Sequence, residues 1–437
     1  MPEYESYQST SYRWLPKAPS HWLKKSIRQI TSVLSERCGD RDYRLLSVYR
    51  EYGVIPKDSR DDNHNKESLD LSNYKVVHIG DLVLNKMKMW QGSLGVSQYE
   101  GIVSPAYIIC KVLDKDINLD YLHLLLRSAC FKSYYNQYSY GIRVGQWDMH
   151  YEDFKNLKVY MPPRTEQDQI VRFLDWKVSK INKKVALKRR SLDLIKELIN
   201  SAFAALVENK AETVRLKRVV SLENDYIEIN PDESYRKAGM YNRGRGIFLR
   251  DAVSGKEMGD SKFQRIHSGR LMLSGQFAWE DAVFVTSFKD EEGVASHRYY
   301  LLKSENKDVP VEYLFGYFIS QKGFTDLQQC SHGSAGRNRP LNINELLRIE
   351  IPIVHNSESI RKLCNLVQVY MTMRPLVLRE EEILDELRNR IISDVVTGKI
   401  DVRNVTIPEY EHINDIYDDN NEDSEETDET EIDGEEV

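Results

Sequence analysis

Several short stretches of this chain combine side chains that can read the edge of a base pair with glycines that let the backbone come close. Lys86-Met87-Lys88-Met89-Trp90-Gln91 ends on Gly92, and Gly141-Ile142-Arg143-Val144-Gly145-Gln146-Trp147 mixes the same ingredients. Asn242-Arg243-Gly244-Arg245-Gly246 and Gly336-Arg337-Asn338-Arg339 do so again farther along. Arg and Lys bond to guanine edges or neutralise phosphates, and Asn and Gln pair with adenine edges. Lys86, Lys88, Gln91, Arg143, Gln146, Arg243, Arg245, Arg337, Asn338 and Arg339 are therefore the candidate nucleic-acid contacts. Taken singly, each such loop is also readable as solvated surface, and Trp90 and Trp147 stay open between core packing and the loop face.

Recurrence strengthens the loop reading. From about Trp22 the chain repeats itself at an offset of 192. Tyr43-Arg44 returns as Tyr235-Arg236, Tyr49 as Tyr241, and Gly101-Ile102-Val103-Ser104 as Gly293-Val294-Ala295-Ser296. Tyr107 pairs with Tyr299, Tyr121-Leu122 with Tyr313-Leu314, and Gly141 with Gly333, which puts Arg337-Asn338-Arg339 near the place of Arg143 to Trp147. Gly80-Asp81-Leu82 answers to Gly269-Arg270-Leu271 at a slightly shorter offset, so the second copy carries a small deletion. A period of about 190 residues far exceeds solenoid units. Each copy should be a domain with its own core, and a pseudo-two-fold is the natural geometry.

The elements that must hold these loops follow from periodicity. Lys75 to Ile79, Leu82 to Leu84 and Ala106 to Val112 read as strands, and Leu119 to Gln137 as a helix. The second copy repeats this between about Val214 and Ile351, with Val311 to Leu327 as the matching helix. Beyond Pro162-Pro163 the period becomes helical, with Thr165 as a cap and Glu166 to Gln169 as a polar first turn. Ile170, Leu174, Val178, Ile181, Val185, Leu192, Ile195, Ile199, Ala202 and Leu206 form a heptad-like seam. Such a helix would be about 68 Å long and needs a partner. Leu363, Val367, Tyr370, Leu384, Leu387, Ile391 and Val395 supply the partner's seam, with Pro375 as a kink and Gly398 as the stop. Pairing the two antiparallel buries both stripes.

The chain has 437 residues and a formal charge of −7, but residues 411–437 hold fourteen Asp or Glu and no Lys or Arg. Residues 1–410 alone carry +7, a mildly basic body compatible with a polyanionic partner. The five cysteines, Cys38, Cys110, Cys130, Cys330 and Cys364, form no CxxC pair and read as reduced thiols. No secretory leader or long apolar run is present, so a soluble, cytoplasmic protein without a membrane partner is expected.

Trp14-Leu15-Pro16-Lys17-Ala18-Pro19-Ser20-His21-Trp22 resembles the opening motif of type I restriction-modification specificity subunits. So do Gly80-Asp81-Leu82-Val83 with Lys86 to Gly92, Gly101 to Tyr107, and Pro162-Pro163 followed by Glu166-Gln167 and Ile170. Val396-Thr397-Gly398-Lys399-Ile400-Asp401-Val402-Arg403 is similar to the family's C-terminal signature, and the resemblance spans roughly residues 10–405. It implies an α+β fold: two mixed α/β target recognition domains separated by a long antiparallel pair of helices, in a pseudo-two-fold repeat. The expected divisions are 1–161 for the first recognition domain and 162–210 for the first spacer helix. The second recognition domain takes 211–354, the second helix 355–403, and an acidic disordered tail 404–437. The resemblance further implies double-stranded DNA as ligand, two modification (methyltransferase) subunits docked on the helices, and restriction subunits joined through them. S-adenosylmethionine, ATP and Mg are expected on those partners, with no cofactor in this chain. The second helix starts through Ile351-Pro352 and His355-Asn356-Ser357-Glu358-Ser359, without the Glu-Gln pair, which leaves the two docking sites unequal.

Enzymatic readings have less to stand on. No NPPF or DPPY motif and no GxxxxGK[ST] loop occurs. The nearest nuclease-like pattern is Pro231-Asp232 with Asp260-Ser261-Lys262, which has no counterpart in the first copy. A non-catalytic recognition subunit is the expectation; a helical adaptor that binds only proteins and a divalent-metal nuclease are the alternatives. Steep salt dependence of DNA binding separates the reader from the adaptor.

Overall fold

The computed structural model describes residues 2–50, 52–59, 70–141, 147–208, 211–241, 244–333 and 339–413. The chain divides into two compact units, Met1–Val185 with Ile383–Val437, and Ala186–Glu382. Each holds about half of each of two long helices, Arg164–Glu208 and Ser357–Val396.

The repeat seen in the sequence is a repeat of topology. In the first unit a four-stranded antiparallel sheet runs in the order Thr31–Leu34, Ile108–Val112, Leu82–Leu84, Leu94–Val96. The second unit orders Val220–Glu223, Tyr299–Ser304, Leu271–Ser274 and Val283–Val285 in the same way. A second sheet, complete in the second unit, runs Tyr226–Ile227, Phe263–Arg265, Gly293–Ser296, Ser234–Tyr241, Gly246–Ser254. Its single parallel step, Arg236 beside Gly293, has a counterpart in the parallel bridge of Leu45 with Ile102. In the first unit this layer is broken into the Arg37–Lys75 bridge, the pair Lys75–Val77 with Gly101–Val103, and the hairpin Leu46–Tyr49 with Gly53–Pro56.

The helical stretches expected at 119–137 and 311–327 are each two helices. Leu119–Arg127 and Ala129–Tyr138 are separated by Ser128, and Val311–Ile319 and Gln321–Gln329 by Ser320. Both serines have extended ψ, which ends one helix and starts the next under an unbroken apolar period; the Ser320 hydroxyl also accepts from the Gly323 N–H, whereas Ser128 makes no such cap.

The first long helix begins one residue earlier than its proposed cap. Pro163 supplies the carbonyl that receives the Glu166 and Gln167 N–H groups, and Thr165 lies inside the first turn. Glu166 is turned inward. Its carboxylate accepts from Tyr4 Oη at 2.7 Å and Trp22 Nε1 at 2.9 Å, and lies 2.7 Å from His21 Nε2. Gln167 is buried too, donating to the Pro162 and Asp116 carbonyls and accepting from Asn118 N. The Glu-Gln pair thus joins this helix to the N-terminal segment. At the same place in the repeat, Glu358 is exposed and pairs with Lys362 at 2.8 Å, while Asn356 caps the second helix.

Within the first unit the start of the first long helix packs with the end of the second: Ile170, Phe173 and Leu174 share a core with Val395 and Val396. Within the second unit the relation inverts, with Ile199 and Phe203 beside Leu363, Val367 and Tyr370. The helices are antiparallel in both. Leu387, expected in the seam, is exposed, and Ser179 and Asn182 are buried where the seam continues. Ser179 and Asn182 meet the chain's own C-terminal stretch. Residues 404–413, grouped above with the acidic tail, are ordered along the first helix. Val405, Ile407 and Tyr410 pack on the first core, Ile413 N donates to Ser179 Oγ at 3.3 Å, and Asn182 Nδ2 donates to Ile413 O at 3.2 Å. Tyr410 bonds Asp175, which also meets His412 at 2.9 Å. The rest of that tail, 414–437, lies outside the described residues.

Candidate nucleic-acid interface

In the first unit, Lys86 to Gln91 form a tight 3-10 turn closed by Gly92, whose φ of 90° is left-handed. That φ favours glycine, and a Cβ there would also meet the Lys132 stem, 2.7 Å from its Cε. Met89 is the turn's buried anchor. Trp90 leaves it to meet Trp147 edge-on, with ring centroids 5.2 Å apart. Lys86 is paired with Asp148 at 3.2 Å, while Lys88 is exposed and Gln91 half-buried. The pairing of Ser139-Tyr140 with Asp148-Met149 closes the base of the loop that carries Arg143 and Gln146. Those two candidates lie outside the described residues.

The second unit builds the same place with different chemistry. Its turn, Ala278–Glu280, carries Trp279, and the position of Gly92 is taken by Asp281 with φ 61°, left-handed although it is not glycine. Arg339 stands where Trp147 stands in the first copy, its guanidinium 5.0 Å from the Trp279 ring centroid. The Ser331–Leu341 bridge closes the loop base. Arg337 and Asn338 lie outside the described residues, as does Arg243. Arg245 is half-buried on the neighbouring hairpin, 5.2 Å from the centroid of Tyr241, which in turn packs on Phe248.

The turn in the second unit also connects these parts. Gly244 N, between the hairpin's arginines, donates to Asp281 O at 2.6 Å, and Leu341 N donates to Gly275 O at 2.7 Å. Burial pushes the Asp281 carboxyl above the ordinary carboxylate value, while Lys196, 3.5 Å away, and Arg374 draw it down. The segment Gly275 to Asp281 therefore holds the bases of two basic loops that are nearly a hundred residues apart in sequence, and Asp281 ion-pairs with Lys196 of the first long helix.

Sequence reasoning singled out Arg245 and Arg339 but not Trp279 or Asp281. The signal was present: Trp90 and Trp279 stand at the same shortened offset as Gly80 and Gly269. That offset also matches His78, 3.2 Å from Glu36, with His267, 3.0 Å from Asp225, a repeated surface pair. The loose set of Asp232, Asp260 and Lys262 gathers into nothing comparable. Asp232 sits 3.7 Å from Lys256, and among the described residues no three His, Cys, Asp or Glu side chains are grouped to hold a metal ion. Among them, too, no helix is long and apolar enough to cross a membrane.

Residues 19–195 match the type I restriction modification DNA specificity domain family. The type I restriction enzyme MjaVIII specificity subunit of Methanocaldococcus jannaschii is 23% identical over 368 residues, covering 76% of this chain and 81% of that protein. A solved chain described under the structural basis of complex assembly and conformational transition of the type I R-M system superposes with a TM-score of 0.54. It is 14% identical and covers 88% of this chain and 100% of its own. The type I restriction-modification S subunit from M. genitalium gives a TM-score of 0.44 at 12% identity, over 86% of this chain and 96% of that one. Residues 19–195 thus match a type I restriction modification DNA specificity domain, and the second unit repeats the order of elements of that matched domain.

Proposed function

We propose that this chain selects the DNA sequence on which a type I restriction-modification complex acts, each unit reading one half of a bipartite target. The observation that carries this reading is the repeated loop base: Trp90 on Trp147 in one unit, Trp279 beneath Arg339 in the other. Equivalent frames with different side chains are what two half-sites of different sequence require. Arg143, Gln146, Lys88 and Gln91 are assigned to one half-site, and Arg245, Arg337, Asn338 and Arg339 to the other. Lys86, paired with Asp148, contributes less than its sequence suggested.

The chain is assigned recognition, not catalysis. S-adenosylmethionine, ATP and Mg fall to two modification subunits and to the restriction subunits that join through them. The long helices offer a surface for docking modification subunits. In the second unit Leu187 is 60% exposed, followed at steps of seven and four by exposed Leu194 and Leu198. Val369 and Leu376, seven apart on the other helix, are exposed as well. Apolar side chains at heptad spacing outside the seam fit partner helices better than water.

The test is methylation mapping in cells carrying the complete system. Replacing Arg143 and Gln146 should relax one half-site, and replacing Arg337 and Asn338 only the other, by roughly 1–3 kcal/mol per lost bidentate contact. Uniform weakening on all sequences would make these phosphate contacts, and effects that cross between half-sites would refute the two-reader reading.

A further inference from the structure

Arg339 is exposed, and a long exposed side chain ordinarily samples many rotamers before it meets a ligand. Here it is held over an indole. The Trp279 ring is itself fixed, because its Nε1–H donates to Gln276 O at 3.1 Å. The backbone on either side is fixed as well: Leu341 N, two residues after Arg339, bonds the O of Gly275, four residues before Trp279, at 2.7 Å. Ring and guanidinium therefore stand on one hydrogen-bonded frame. A cation over a ring engages the π face and consumes none of the five guanidinium N–H donors, which stay available for a base edge or a phosphate.

The first unit provides the internal comparison. Its equivalents, Trp90 and Trp147, make an aromatic pair instead. The frame is common to both units, while the ring pair of the first is replaced in the second by a ring and a guanidinium.

We propose that Trp279 is a positioning residue for the second half-site, presenting the Arg339 guanidinium to DNA in a set pose. This rests on the reading of Arg339 as a DNA contact, which the experiment tests separately. The full chain, assembled with its modification subunits, is titrated with duplex carrying the target mapped by genomic methylation, and with duplexes altered in one half-site at a time. Trp279→Ala should weaken binding to the intact target by roughly 2- to 5-fold, the range of an exposed cation–π contact. The same substitution in an Arg339→Ala background should cost nothing more, Trp279→Phe should recover most of the loss, and discrimination at the first half-site should be unchanged. An equal loss with and without Arg339, or no loss when Arg339→Ala does weaken binding, would overturn the positioning role and leave Arg339 as a contact. If Arg339→Ala leaves DNA binding intact, the assignment of Arg339 fails and the positioning role with it.

Discussion

Glu166 is the group whose removal should disturb the first unit most for a single carboxylate. Glu166→Ala leaves Tyr4 Oη and Trp22 Nε1 buried without their acceptor. A buried donor stripped of its partner costs about 1–3 kcal/mol, so the two together predict a loss of about 2–6 kcal/mol. His21 contributes little to that sum. Its side chain is 39% exposed, and a solvent-screened pair of this kind is worth at most about 1 kcal/mol. His21→Ala should therefore be mild, and Glu166→Gln, which keeps one acceptor oxygen, should fall between. Glu358→Ala is the control at the repeated position, where the carboxylate is exposed beside Lys362; it should cost under about 0.5 kcal/mol. Urea unfolding followed by amide exchange at residues 4–26 and 164–174 reads the first unit separately from the second. A Glu166→Ala loss no larger than that of Glu358→Ala would show that the junction does not hold the helix start as described.

Other perturbations have equally defined outcomes. Gly398 has φ 73°, and a Cβ there would lie 2.4 Å from Pro19 Cδ, so Gly398→Ala should destabilise the first unit by about 2–5 kcal/mol in urea titrations. His123 is enclosed by Gly53 and Gly95 and accepts from Val96 N; burial, then Arg127, pushes its imidazole down to about 3. Because the unfolded chain takes up a proton near pH 6.5 and the folded one does not, stability should be flat above that pH. It should fall by up to about 1.4 kcal/mol per unit as pH drops from 6.5 towards 3. His123→Gln should remove that slope, and an unchanged slope would place its origin elsewhere. Replacing Leu187, Leu194 and Leu198 with serine should leave the chain folded but weaken its association with modification subunits at least tenfold by sedimentation; retained affinity would move the docking surface off this face.

The duplication, the strand and helix types and both long helices were legible from residue types and spacing, because each depends on local periodicity. Tyr121 and Tyr313 illustrate it: repeated at an offset of 192, both are buried and both donate from their hydroxyls to a backbone carbonyl, Val396 O and Pro352 O. The breaks at Ser128 and Ser320 were missed because one residue with extended ψ interrupts a helix without interrupting its apolar pattern. What only the tertiary structure decided is which polar groups serve the interior and which remain for a ligand. Glu166 and Glu358 occupy the same place in the repeat and are both helix-start glutamates by sequence. One is buried because Tyr4, His21 and Trp22 fold over it, and the other faces water. Lys86 and Arg339 were equal candidates as basic loop residues until Asp148 was found beside the first and an indole beneath the second. A neighbour some 60 residues away sets whether a charge is neutralised or presented, and no local spacing encodes that neighbour.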